Sequence, residues 1–359
     1  MVRRTMLQVA MAAASLLGCV PSAPGGQKPL VRVLDACTPM GTYMAVTVYA
    51  PDEASGRRAI AAAFQRVEEV EAATSTYREQ SDVSKLNRAA GGPALKVSPH
   101  LWAVLHRAAE VSAETQGAFD VTVGPLVSLW KRTWKKGKPA TDAEVAAAKA
   151  LVDYRAVRLL DGSRAQLLKP GMAVELGGIA KGYAVAQAID AIREAGLQTA
   201  LVDAGGDIYA LGAPPERGGW LIGVRDPKNP GKILPKPLKL RNQAVATSGD
   251  YEQYGTVGGH RYSHILDPRT GRPIEGMTSV TVVAPDATTA DAYATATSVL
   301  GPKDAIEFAE KRPGIEMMIL YRRGEQDIAE RSSGFGRLEV SAEGGTPQDQ
   351  DKPTGRTEQ

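Results

Sequence analysis

The sequence is poor in cysteine and histidine and has no strong excess of charge. Its 359 residues include two cysteines and four histidines, and two cysteines are too few for a thiolate metal cluster. The formal net charge is only +3, and no basic patch alternates with aromatic residues, so nothing favours nucleic acid as a partner. Hydrophobic residues make up 43% of the chain, a share typical of a soluble globular protein.

Long apolar runs are also missing. The one apolar stretch near the start, Met6–Leu17, follows Arg3 and Arg4 and is shorter than the roughly 20 residues that a membrane-spanning helix needs. This layout is typical of a secretory signal. The stretch ends in Leu-Leu-Gly-Cys, which resembles a bacterial lipobox and predicts a lipoprotein of the bacterial periplasm or cell envelope, membrane-anchored at Cys19. The alternative is ordinary signal-peptidase cleavage, with Cys19 as a bystander.

The remaining chain divides by composition. We expect a signal peptide over 1–18, a tether rich in proline, glycine and serine over 19–30, one domain over 31–340 and a disordered tail over 341–359. Helical and strand patterns mix between 31 and 340 without a strict βαβ rhythm. The pattern therefore predicts a single α+β domain of mixed sheets and helices.

A glycine-rich segment, ELGGIAKGYAVAQAID at 175–190, is the most informative motif of this domain. Val185, Ile189 and Ile192 recur at helical spacing just after it, so the glycines lie in a loop that leads into a helix. Glycines let the backbone approach a ligand closely, and a helix N-terminus offers unpaired N–H groups to an anion such as a pyrophosphate. The alternative is a simple turn before a surface helix.

Two further places can carry chemistry. Asp291 and Thr295 lie four residues apart on a predicted helix, so a carboxylate and a hydroxyl share one face and can bind a hard cation such as Mg²⁺. The carbonyls of Gly177 and Gly178 are possible further donors. Asp291 can instead simply stabilise the helix N-terminus through the dipole.

His264 is the best candidate for a general base. It is expected at a strand end just before the turn formed by Asp267-Pro268 and Thr270-Gly271. Imidazole is the side chain whose ordinary pKa lies nearest neutrality. A structural hydrogen bond is the alternative role for a single histidine. Tyr77 could stack on a flat ring, while Phe119 could stack or pack and Asp120 could accept hydrogen bonds from a ligand.

Taken in order, the motifs resemble the ApbE family, the FAD:protein FMN transferases. The resemblance runs from Met40-Gly41-Thr42 through the Ser-Thr-Tyr loop, GAFDVTVGPL, ELGGIAKGYA, AGGD, TSGDY and HILDPRTG to ADAYATATSVLG at 290–301. It thus covers essentially the whole predicted domain and implies a T-fold-like architecture.

The resemblance also implies an activity and a set of site residues. Members of the family transfer the FMN moiety of FAD to a Thr or Ser hydroxyl of a partner flavoprotein, such as a quinone-reductase or electron-transport subunit, and release AMP. By the family pattern the base is His264 and the Mg²⁺ ligands are Gly178, Asp291 and Thr295. The FAD contacts are Met40, Tyr77, Ala118, Phe119, Asp120, Glu175, Lys181 and Ile265.

The family usually has Asp where this chain has Glu175. A carboxylate longer by one methylene leaves the assignment of this contact open. Two other functions use the same residues: a metal-dependent FAD pyrophosphatase, with water as the acceptor, and a flavin-binding lipoprotein without enzymatic activity.

Overall fold

A computed structural model describes residues 29–215, 217–229, 231–249, 254–257 and 260–341. The predicted signal peptide, Cys19, nearly all of the tether and the tail beyond Ser341 lie outside these ranges. No helix within them is long and apolar enough to cross a membrane.

Eight strands form one antiparallel sheet, in which their order from edge to edge is also their order along the chain. Their bounds are Val31–Cys37 (β1), Met44–Ala50 (β2), Ala200–Ala204 (β6), Asp207–Leu211 (β7), Gln243–Gly249 (β10), Met277–Ala284 (β15), Glu316–Arg323 (β16) and Gln326–Arg331 (β17).

Shorter strands form small sheets around this one. Leu95–Lys96 (β3), Val157–Leu160 (β4) and Arg164–Leu167 (β5) make a three-stranded sheet. The hairpins are Trp220–Ile222 (β8) with Leu238–Leu240 (β9), Tyr254–Val257 (β11) with His260–Ser263 (β12), and Leu266–Asp267 (β13) with Arg272–Pro273 (β14).

The helices begin and end where the local sequence favours it. Asp52, Ser81, Ser98, Thr141 and Asp286 each accept a hydrogen bond from a first-turn amide of the following helix. The described helices are Glu53–Thr74 (α1), Asp82–Arg88 (α2), Pro99–Glu114 (α3), Gly124–Lys136 (α4), Asp142–Lys149 (α5), Ala180–Glu194 (α6), Ala287–Leu300 (α7) and Pro302–Glu310 (α8).

Both faces of the sheet are buried, and successive side chains along a strand point to opposite faces. Ala244 and Ala246 of β10 pack into the larger core with α1, α6 and α7, while Val245 between them packs against Trp220 and Phe335. Helices therefore cover one face, and the β8–β9 hairpin covers the other. The predicted α+β class is confirmed, and the site candidates lie on the helical side.

One helix was not predicted from the sequence. Residues 121–123 have high strand propensity and 131–138 is rich in basic residues, so neither stretch indicates a buried helix. Instead α4 covers Gly124–Lys136, with Pro125 in its first turn and Gly137 in the left-handed conformation at its end (φ 66°). These two residues are ordinary helix start and stop signals.

Candidate active site

The glycine loop leads into α6, as predicted. No side chain caps the helix at Ile179. Instead, the backbone amide of Gly182 donates a hydrogen bond of 2.9 Å to Oδ2 of Asp291, a residue of α7. The loop is thereby tied to the helix that carries the predicted metal ligands.

Gly182 is required by the close approach of α6 and α7. A Cβ atom at this position would lie 2.2 Å from the carbonyl oxygen of Ala287 and 2.6 Å from Cβ of Asp291. Both obstacles belong to a buried helix and cannot rotate away. The absence of a side chain at Gly182 therefore sets the distance between the loop and Asp291.

We expect Gly182→Ala to lower the free energy of unfolding by about 3 kcal/mol, because overpacking a rigid interface forces backbone shifts. Chemical denaturation measures the change. Gly336→Ala is the matched control, since a Cβ there meets no heavy atom within 4 Å. Equal destabilisation of the two variants would contradict the steric explanation.

The structure brings the three predicted metal ligands together. Asp291 is buried, with 4% of its surface exposed. A Cβ at Gly178 would lie 2.9 Å from Oγ1 of Thr295, so the loop backbone lies directly against that hydroxyl. Ser248, at the end of β10, adds a second hydroxyl 3.5 Å from Thr295 Oγ1.

This donor set fits Mg²⁺. Carboxylate, hydroxyl and carbonyl oxygens are hard ligands, which this cation prefers. Within the described ranges, no three His, Cys, Asp or Glu side chains are placed to hold a metal ion. The three candidate ligands fill only part of an octahedral shell. Mg²⁺ usually completes its shell with water and substrate phosphates, so an incomplete set is what a phosphate-bound cation needs.

The surroundings of these ligands are rich in negative charge. Nζ of Lys181 forms a 2.6 Å salt bridge with Oδ2 of Asp207, whose side chain is 3% exposed. Burial and the charge of Asp207 raise the pKa of Asp291 to about 7, although Lys181 and the Gly182 amide oppose the shift. Burial also raises the pKa of Asp203 and of Asp207. A bound cation would relieve this repulsion.

A second group of candidates surrounds the Ser-Thr-Tyr loop. Glu175 accepts hydrogen bonds from the Gly177 amide (3.2 Å) and the Thr76 hydroxyl (3.3 Å), so it joins this loop to the glycine loop. Tyr77 is 83% exposed. Its hydroxyl accepts a hydrogen bond from Lys131, whose ammonium also lies 5.1 Å from the ring centroid. An exposed aromatic ring is suited to stacking on a flat ligand.

Met40 lies in a strained turn. It has φ 54° in the one-turn helix Pro39–Gly41, a conformation that a side chain disfavours. Its backbone amide donates a hydrogen bond of 3.0 Å to Oε2 of Glu71. Such strain is commonly maintained at ligand sites, which agrees with the predicted FAD contact.

Asp120 is held by the protein itself. Its Oδ1 accepts hydrogen bonds from the Thr122 amide and hydroxyl, and its Oδ2 accepts one from the Tyr154 amide. Burial nonetheless raises its pKa. These bonds give the carboxylate a structural role. The contact of segment 118–120 with FAD stays a prediction, and backbone atoms of the segment can also make it. Phe119 beside it is buried in the main core.

His264 directly follows the last residue of β12, in agreement with the predicted strand end, and is half-buried. Ile265 follows it and packs with Ala118 and Val299 in a small apolar cluster. Val299 stands four residues beyond Thr295 on α7. Asp291, Thr295 and Val299 therefore form one stripe of the helix, which connects the metal ligands with the segment that carries His264.

Helix α4 contacts the chain on both sides of the segment that carries His264, a role that sequence reasoning missed. Trp130 donates a 2.9 Å hydrogen bond to the Gly271 carbonyl in the turn after β13. Trp134 lies so close to Gly255 of β11 that a Cβ there would be 2.2 Å from the ring. The sequence motifs also did not reveal the roles of Asp207, which lies in AGGD, and of Ser248, which lies in TSGDY.

Comparison with known proteins agrees with these motifs. The model of the ApbE family matches residues 40–319. An FAD:protein FMN transferase of Klebsiella pneumoniae is 31% identical over 330 residues, which cover 89% of this chain and 94% of that protein. One from Vibrio cholerae is 33% identical over 301 residues, with coverages of 82% and 90%.

Solved structures agree as well. The flavin transferase ApbE from Vibrio cholerae superposes with a TM-score of 0.75 at 31% identity and covers 86% of this chain and 100% of that one. The ApbE protein of Thermotoga maritima gives a TM-score of 0.78 at 33% identity, with coverages of 87% and 100%. The chain therefore belongs to the ApbE family.

Proposed function

We propose that this chain transfers the FMN moiety of FAD to a Thr or Ser hydroxyl of a partner flavoprotein, with Mg²⁺ as cofactor and AMP as the second product. The observation that carries the proposal is the meeting of Gly178, Asp291 and Thr295 beside the loop that leads into α6. The names of the relatives support the same reaction.

The chemistry is a phosphoryl transfer. The acceptor oxygen forms a bond to the phosphorus of the FMN half, the bond to the bridging pyrophosphate oxygen breaks, and AMP leaves with that electron pair. His264 takes the proton of the acceptor hydroxyl, which is otherwise a weak nucleophile. When bound, Mg²⁺ neutralises charge on the pyrophosphate and on the departing AMP.

Other residues bind and orient FAD in this proposal. Lys181, held by Asp207, directs positive charge at the phosphates beside the glycine loop. The exposed ring of Tyr77 stacks on a flat part of the ligand, and Glu175 fixes the two loops relative to each other. Met40, Ile265 and the segment 118–120 complete the contacts.

We further propose that the chain works in the bacterial periplasm or cell envelope, anchored to the membrane through lipidated Cys19. The sequence around Leu16–Cys19 supports this location. The acceptor would be a quinone-reductase or electron-transport subunit that is exposed on the same side of the membrane.

The test mixes residues 20–359 with FAD, Mg²⁺ and an acceptor subunit, beside a control with EDTA. We expect a gain of one FMN in the intact mass of the acceptor, a fluorescent band that survives denaturation, and loss of both with EDTA. Free AMP and FMN without any acceptor would identify a pyrophosphatase instead. Tight FAD binding without turnover would identify a carrier.

A further inference from the structure

A cleft of about 710 Å³ lies next to the segment that carries His264. Its walls are the β13–β14 hairpin, the start of α8 and the ends of β15 and β16. None of the residues assigned above to FAD, the metal or the base lines it. The cleft is therefore a separate feature that the proposed binding of FAD leaves open.

Two contacts and one sequence neighbour connect the cleft to the segment that carries His264. Tyr262, in its wall, stands two residues before His264. The amide of Ile274, also in the wall, donates a 3.0 Å hydrogen bond to the carbonyl of Ile265. Val299 lines the cleft and packs against Ile265 as well. A molecule in this cleft would thus lie against residues that contact the segment carrying the predicted base.

The side chains that line the cleft carry a small excess of positive charge. Its basic residues are Arg272, Lys303, Arg322 and Arg323, and its acidic residues are Asp267, Glu275 and Glu330. Asp267 is already bound by Arg269, which lies outside the wall, and Glu330 accepts the hydroxyl of Tyr321.

Two of the basic residues form no salt bridge in the described part of the chain, namely Lys303 and Arg323. Arg323 donates a hydrogen bond to the hydroxyl of Tyr321, which in turn donates one to Glu330. Both side chains are exposed. Such a rim attracts a negatively charged partner and favours its encounter with the site.

We propose that this cleft docks an acidic segment of the acceptor protein next to the Thr or Ser that receives FMN. The inference rests on the proposed function, because a second substrate must bring a hydroxyl to His264 while FAD occupies its own contacts. Lys303 and Arg323 bind the acidic side chains, and Ile274, Met277 and Val299 provide an apolar floor. Such a division gives specificity through charge and shape together.

The test uses the double variant Lys303→Glu/Arg323→Glu and an acceptor domain whose flavin-bearing Thr is flanked by Asp or Glu. We expect the KM for the acceptor to rise about tenfold or more, while the dissociation constant of FAD stays the same. Lys311→Glu is the control: it makes one such charge reversal at the end of α8, outside the cleft, and should leave the KM unchanged.

A second arm replaces the acidic residues of the acceptor with Lys. This acceptor should bind the double variant better than the parent protein, which simple damage to the fold cannot produce. Direct binding of both acceptors, measured by fluorescence anisotropy, reports docking without turnover. If the parent fails to transfer FMN but binds the acidic acceptor through the cleft, the proposed function fails alone. An unchanged acceptor affinity in the double variant overturns the docking proposal.

Discussion

Replacing Asp291 with alanine is expected to lower flavin transfer by about 10³-fold or more while FAD still binds. A metal ion contributes several kcal/mol to charge stabilisation in phosphoryl transfer, and each 1.4 kcal/mol corresponds to about a factor of ten in rate. Asp291 is the only carboxylate among the proposed ligands, so its loss removes the charge that attracts Mg²⁺. Transfer assays over a range of Mg²⁺ concentrations, with FAD binding followed by fluorescence, measure both effects.

Alanine at this position also removes the acceptor of the Gly182 amide, so a second variant is needed. Asn in place of Asp291 keeps the volume and an oxygen that can accept this hydrogen bond, but it carries no charge. Because it removes a buried charge near Asp207, its metal-free form should unfold at no lower temperature than the parent. Isothermal titration with Mg²⁺ should show weakened binding in both variants. Parent-like activity of either at saturating Mg²⁺ contradicts the assignment of Asp291.

The sequence predicted those parts of the site that follow from local patterns. The apolar period after Gly182 predicted α6, and the spacing of Asp291 and Thr295 predicted that they share a face of α7. Both predictions depend only on residues a few positions apart. His264 was correctly placed at a strand end because the turn residues that follow it are unambiguous. The order of the motifs then gave the family.

The sequence could not show which residues meet across the fold. Lys181 and Asp207 are 26 positions apart, and the Gly182 amide and Asp291 are 109 apart, so no periodicity links them. TSG at 247–249 has the composition of a polar turn, yet the structure places it in β10, where Ser248 lies 3.5 Å from Thr295. A polar strand end and a turn have the same composition, and only tertiary pairing distinguishes them.

Helix α4, which was not predicted, shows a different limit. Val121, Thr122 and Val123 have high strand propensity, which conflicts with Pro125 as a helix start signal. In the structure, Trp130 and Trp134 of α4 pack on segments that are far away in sequence. Packing of these large rings, in addition to local signals, stabilises the helix.

His264→Ala is expected to slow transfer by about 10²–10⁴-fold, the usual contribution of a general base, without weakening FAD binding. Single-turnover measurements, with FAD-loaded enzyme in saturating excess over the acceptor, isolate the chemical step from product release. His106→Ala is the matched control, because it removes the same side chain from the surface of α3. A parent-like single-turnover rate in His264→Ala would exclude His264 as the base.

A slow variant alone does not distinguish a base from a histidine that only supports the loop. Free imidazole should restore part of the rate of His264→Ala in proportion to its concentration, because it can enter the space of the lost ring and accept the proton. It cannot restore a displaced loop. Rescue in this variant but not in Asp291→Ala would assign proton transfer to His264 and charge stabilisation to α7. If imidazole has no effect and thermal unfolding shifts, His264 holds the segment beside Ile265 and another group takes the proton.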